Sequence, residues 1–183
     1  MQAPAIPALG EERTRLINAV SGTLAGVVGY DQVVRTLPRC AVPVLAELVI
    51  LLVRDEGTDR LEVAHIDRDQ EQPVASRLEG ALPALRFAVE RELSLGRTFR
   101  WLPRITNSSL RFLSRRDPRL PELLKDLEIH SLIVVPLCSE GQNRGAMAFA
   151  RVREDVPLQA ADLAVAQMIA RPGGRRNGEG CAV

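Results

Sequence analysis

Ser131-Leu-Ile-Val-Val-Pro-Leu-Cys138, Ser139-Glu-Gly-Gln-Asn-Arg144 and Gly145-Ala-Met-Ala-Phe-Ala-Arg-Val152 follow one another in this chain and decide its fold. The first segment is an unbroken apolar run rich in β-branched residues, the pattern of a strand buried on both faces. The third partly alternates, with Met147 and Phe149 on one side and Ala146, Ala148 and Ala150 on the other, as a strand with two different environments requires. The polar segment between them holds Gly141 and Asn143, which supply the backbone freedom of a hairpin connection. Two central strands of one sheet follow.

A second apolar run, Glu47-Leu-Val-Ile-Leu-Leu-Val53, predicts another buried strand. A turn over 55–59 leads from it to a partner strand in which Leu61, Val63 and His65 alternate. Upstream, residues 11–37 carry a helical pattern. Leu16, Val20, Leu24 and Val27 form one stripe, and Val33, Val34 and Leu37 continue it past a break near Gly29, with Asp31 placed to cap the second piece. Pro38 and Pro43 bracket the segment before the strand, where Val42, Val44 and Leu45 suit a helix.

Between the two apolar runs, residues 70–82 are polar and loosely helical. Pro83 fits the first turn of a firmer helix with Leu85, Ala88, Val89 and Leu93 on one face, stopped at Gly96. Residues 98–105 predict a short strand carrying Trp101, with Pro103 marking an edge or irregular position. Thr106-Asn-Ser-Ser109 offers caps for a helix bearing Leu110, Phe112 and Leu113; Pro118 ends it, and 120–127 forms another. A last helix over 158–170 has Leu163, Val165, Ala166, Met168 and Ile169 as its apolar side, and Asp162 near its start suits the helix dipole. This order predicts an α+β fold, an antiparallel sheet with helices on its faces. Residues 1–12 are expected to be disordered, 13–170 to form one domain and 171–183 a flexible tail.

Composition narrows the function classes. The 183 residues are 46% hydrophobic but only 3% aromatic, so the core is aliphatic. A net charge of +1 gives no electrostatic case for nucleic acid or an anionic membrane. No apolar run approaches the roughly 20 residues of a membrane span, and the start of the chain lacks a signal-peptide pattern. Cys40, Cys138 and Cys181 are odd in number and scattered, which argues against a disulfide framework or structural zinc and for a reducing compartment. A cytoplasmic location is expected.

Four stretches together resemble a GAF domain, of the kind found in bacterial sensor histidine kinases and sigma-factor-regulating phosphatases. They are residues 36–53, Gly96-Arg-Thr-Phe-Arg-Trp-Leu-Pro103, residues 123–137 followed by Gly145-Ala-Met-Ala-Phe, and Ala161-Asp-Leu-Ala-Val-Ala-Gln-Met-Ile-Ala170. The resemblance implies a central antiparallel sheet with the first and last helices on one face and a small-molecule pocket over the other. It also implies a homodimer formed through those helices. The Asn-Lys-Phe-Asp-Glu signature of cyclic-nucleotide-binding members is absent, and no cysteine is followed by the histidine common at bilin attachment sites. The last helix meets Arg171-Pro-Gly-Gly, so this chain is expected to carry no kinase, phosphatase or DNA-binding module of its own, and an output kinase or phosphatase domain is a candidate partner.

On the resemblance, Trp101, Arg104, Asn107, Ser109 and Arg111 fall where the family's pocket-covering segment would sit, and His130 precedes the central strand near the pocket mouth. An apolar ring with a few donors suits a small anion or planar ligand; the plainer reading is an edge tryptophan over core, a helix cap and solvated arginines. His65 and His130 lack partners at ligand spacing, so no metal and no cofactor is expected. Cys138, at a strand end, reads as a small apolar filler ahead of a sensing thiol. Arg115-Arg116 and Arg175-Arg176 read as solvated surface.

The expectation is a non-enzymatic sensory module in bacterial signal transduction that binds an unidentified small molecule, dimerises, or does both. One alternative is a redox enzyme of the free methionine sulfoxide reductase type, which needs a thiolate and a resolving partner. The other is a purely structural dimerisation domain.

Overall fold

The computed structural model describes residues 18, 30–55, 57–94, 99–115, 117–139, 142–153 and 155–170. The expected disordered start, the tail over 171–183 and the stripe Leu16, Val20, Leu24, Val27 lie outside these residues.

The apolar runs and their partners form five strands: β1 (Leu48–Asp55), β2 (Thr58–His65), β3 (Arg100–Leu102), β4 (Ser131–Ser139) and β5 (Gln142–Arg151). They make one sheet in the order β2-β1-β5-β4-β3, every neighbour antiparallel. Both greasy runs are interior, as expected, with β5 between them. The β4–β5 ladder continues to Ser139↔Gln142, so the hairpin's connection is shorter than the polar segment 139–144 suggests. Gly145, opposite Val53 of β1, has φ +143, and a Cβ there would collide with the Leu52 carbonyl; only glycine permits β1 and β5 to approach this closely.

Among the described residues, these α-helices flank the sheet: α1 (Tyr30–Ala41), α2 (Glu71–Gly80), α3 (Leu82–Ser94), α4 (Asn107–Ser114), α5 (Arg119–Asp126) and α6 (Ala160–Ile169). Among the described residues, none is long and apolar enough to cross a membrane. Strand alternation sorts them. Odd-numbered positions such as Val49, Leu51, Ile133, Met147 and Phe149 pack with Val34 and Leu37 of α1 and Val165, Ala166 and Ile169 of α6. Even-numbered positions such as Leu48, Ile50 and Leu132 pack with Val74 and Leu78 of α2 and Leu123 and Leu124 of α5. The expected α+β architecture is therefore present, with α1 and α6 on one face.

Several local expectations differ. Pro38 lies inside α1, where it is buried against the sheet rather than ending the helix. The segment after Ala41 is a turn, not helix, with a cis Val42–Pro43 bond. Asp31 sits in the first turn of α1 and its carboxylate accepts from Arg60 of β2, a charged partner that outcompetes a cap. Met168 of α6 faces outward, because the helix turns only Val165, Ala166 and Ile169 fully onto the sheet.

Two buried polar groups close the end of the sheet nearest α6. Glu47 is 3% exposed, and its Oε2 accepts from the backbone N–H groups of Val152 and Arg153, each at 3.0 Å, tying the entry of β1 to the exit of β5. The Ser131 hydroxyl is fully buried; it donates to the Leu102 carbonyl at 3.3 Å and accepts from the Leu158 N–H at 3.0 Å. Both groups satisfy the requirement that a buried polar atom find a partner.

Candidate functional site

The face of the sheet away from α1 and α6 is only partly filled by its own core cluster. Ala146 and Ala148 of β5 are flanked by Ile50 and Leu52 of β1 and by Val134 and Pro136 of β4. The two methyl groups cannot reach the helices above, so a cavity of about 160 Å³ remains, open to solvent on one side. Leu85, Ala88, Val89 and Glu92 of α3 form one wall at i, i+3, i+4 and i+7 spacing. Leu120, Leu123 and Leu124 of α5 form another. The edge strand β3 contributes Arg100 and Leu102, beside Phe99.

Among the described lining residues, only Glu92 and Arg100 carry polar side chains. They meet each other: Arg100 Nη2 donates to both Glu92 carboxylate oxygens at 2.7 Å, and the guanidinium carbon lies 5.3 Å from the centre of the Phe112 ring. Both members are partly buried. Two polar groups that would each be costly beside an apolar cavity are matched by pairing with each other, helix to strand.

The six residues singled out from the sequence lie elsewhere; none lines this cavity. Trp101 sits between Arg100 and Leu102, so strand alternation turns it to the opposite face. There it packs against the cluster beneath α1 and α6, and its Nε1 donates to the Leu158 carbonyl at 3.2 Å. Arg104 and Arg111 are exposed. Asn107 begins α4, and Ser109 donates its N–H to the capping hydroxyl of Thr106 at 3.2 Å. From α4, the cavity takes Leu113 instead. His130 serves through its backbone, donating to the Arg151 carbonyl at 2.9 Å and accepting from the Ile105 N–H at 2.7 Å.

Sequence reasoning missed Arg100 and Glu92 although both left a signal. Arg100 has the parity of Leu102, and Glu92 completes the stripe 85, 88, 89, which a reading ending on Leu93 passes over. Among the described residues, no three His, Cys, Asp or Glu side chains gather as a metal site would need. Cys40 is half-buried on the α1–α6 face, away from the cavity; the Cys138 side chain and Cys181 lie outside the described groups.

Solved structures share this architecture. The chromophore binding domain of Stigmatella aurantiaca phytochrome P1 is similar at TM-score 0.57 and 12% identity, over 93% of this chain, which spans 60% of that one. The GAF domain of a phosphoenolpyruvate-protein phosphotransferase from Coxiella burnetii matches at TM-score 0.54 and 14% identity, covering 87% of this chain and 89% of that one. The GAF domain of a putative sensor histidine kinase from Pseudomonas syringae pv. tomato matches at 0.51 and 13%, covering 87% and 83%. No curated protein matches the chain in sequence. The family model described as GAF domain matches residues 37–172, which take in all five strands and α6. The chain belongs to the GAF domain family.

Proposed function

We propose that this chain is a non-enzymatic cytoplasmic sensory module of bacterial signal transduction. It takes a small molecule into the cavity, pairs with a second copy through its first and last helices, and biases a kinase or phosphatase output domain. The observation that carries this reading is the placement of an open apolar cavity on one face of the sheet while α1 and α6 pack on the other.

A physical link joins the two faces. Arg100 and Leu102 line the cavity, and Trp101 between them holds the Leu158 carbonyl just before α6. Ser131 binds the Leu102 carbonyl and the Leu158 N–H with one hydroxyl. A ligand that moves β3 therefore moves the entry to α6. It shifts the helix arrangement only by the difference in its affinity for the two states, and a change from 1:99 to 99:1 needs about 5.5 kcal/mol of difference. The exposed Met168, with Ala161 and Ala164 on the outer side of α6, supports helix-to-helix pairing.

Native mass spectrometry of freshly purified protein tests the reading. A dimer with a co-purifying small molecule is expected, and Met168→Glu should shift it toward monomer. A dimer without ligand supports a purely structural role instead. Methionine sulfoxide turnover that disappears on thiol alkylation would overturn the non-enzymatic assignment.

A further inference from the structure

Resting on the sensory reading of the cavity, we infer that its ligand is a small uncharged molecule with an aliphatic body. The wall chemistry carries the inference. Apart from Glu92 and Arg100, every described lining side chain is hydrocarbon, and Phe99 is the one aromatic among them. The backbone groups of the floor are engaged in the β1–β5 and β4–β5 ladders. A ligand with phosphates, ring nitrogens or several hydroxyls would bury groups that find no partner, each lowering affinity about tenfold or more.

Charge is decided by the ion pair in the wall. The Arg100 guanidinium already faces the Glu92 carboxylate through two contacts of 2.7 Å. An incoming anion meets that carboxylate and must displace it; a cation meets the guanidinium. A neutral molecule disturbs neither and leaves its polar end, if it has one, toward the solvent side. Size follows from volume. An apolar cavity of about 150 Å³ stays dry and takes benzene, so about 160 Å³ suits a short aliphatic chain. Ala146 and Ala148 set this capacity, because any larger side chain at either position would occupy the floor.

The test uses the full chain and three probes in isothermal titration calorimetry: 1-hexanol, hexanoate and adenosine 5′-monophosphate. Hexanol is expected to bind, hexanoate at least tenfold more weakly, and the nucleotide not at all. Ala148→Leu should abolish hexanol binding while circular dichroism shows an unchanged fold; if it fails to fold, Val89→Phe on the half-buried wall serves instead. Glu92→Gln should raise the affinity of hexanoate relative to hexanol at least tenfold, because the negative charge beside Arg100 is then removed from the cavity wall. Hexanoate or nucleotide binding as tightly as hexanol, and lost in the cavity-filling variant, overturns the ligand class while the sensory cavity stands. Hexanol binding that survives cavity filling, or no binding by any probe, also overturns the proposal. In that last case a compound found by native mass spectrometry still upholds the sensory reading, whereas its absence removes both.

Discussion

The two faces of one sheet have opposite designs. Beneath α1 and α6, β5 presents Met147 and Phe149, both fully buried, against Leu51 and Ile133. On the other face the same strand presents Ala146 and Ala148, and the space above them is left open. A period of two residues lets one strand serve both purposes without compromise. Large side chains interlock on the face that holds the terminal helices, and small ones make room on the face that holds the cavity. The contrast separates the tightly packed half of this domain from the half that keeps a cavity.

The strongest challenge to the contrast is Phe149→Ala. The packed face should lose about 3–5 kcal/mol, since a buried aromatic leaves a cavity that its neighbours only partly refill. Urea denaturation reads this as a lower midpoint with an unchanged slope. A loss below about 1 kcal/mol would show the face to be loosely filled and the comparison to be empty.

Trp101→Phe keeps an aromatic side chain but removes the pyrrole half of the indole, with the N–H that reaches the Leu158 carbonyl. The expected cost is about 1 kcal/mol. Hydrogen exchange should quicken at the start of α6 more than on α5, because the lost bond lies on the packed face. Equal acceleration on both faces would remove Trp101 as a link to α6.

Ala148→Leu should shift stability by less than about 1 kcal/mol in either direction, because its extra atoms enter open space rather than a filled core. The same enlargement in a closed core costs about 1–3 kcal/mol, and a value in that range would mean that the cavity closes in solution.

The smallest effect concerns the start of α5, over the cavity. The Arg119 guanidinium, aided by the Arg119 N–H, holds the half-buried Asp117 carboxyl below the usual carboxylate range. A carboxyl depressed in the folded state stabilises above its unfolded value near 4 and loses that contribution as pH falls through its lower folded value. Hydrogen exchange in α5 should therefore rise slightly below about pH 4 in the native chain, and Asp117→Asn should remove the dependence. An unchanged pH profile in that variant would show that another group governs the end of this helix.

Much of the sheet was legible beforehand. The run from Leu132 to Leu137 and the run from Leu48 to Val53 are buried strands because their apolar character is continuous, and the Met-Phe against Ala division along β5 forecast two different faces. Pro103 just after β3 and Thr106 as the cap of α4 were readable for the same reason: each acts on its own backbone. The pocket residues were harder. Trp101 is the most conspicuous residue of its stretch, but being conspicuous carries no direction. Its parity with Ile133 sends it away from the cavity, and parity has meaning only once the partner strand is known.

By itself, then, the amino-acid order determined the strands, most helix starts and stops, and the asymmetry of β5, all of them set by interactions over a few residues. Only the tertiary structure decided which face keeps a cavity, that Glu92 and Arg100 meet in its wall, and that Trp101 and Ser131 converge on Leu158 from 57 and 27 residues away. Those pairings depend on how distant segments stack across a sheet, and no local pattern in the chain encodes a distance it does not itself span.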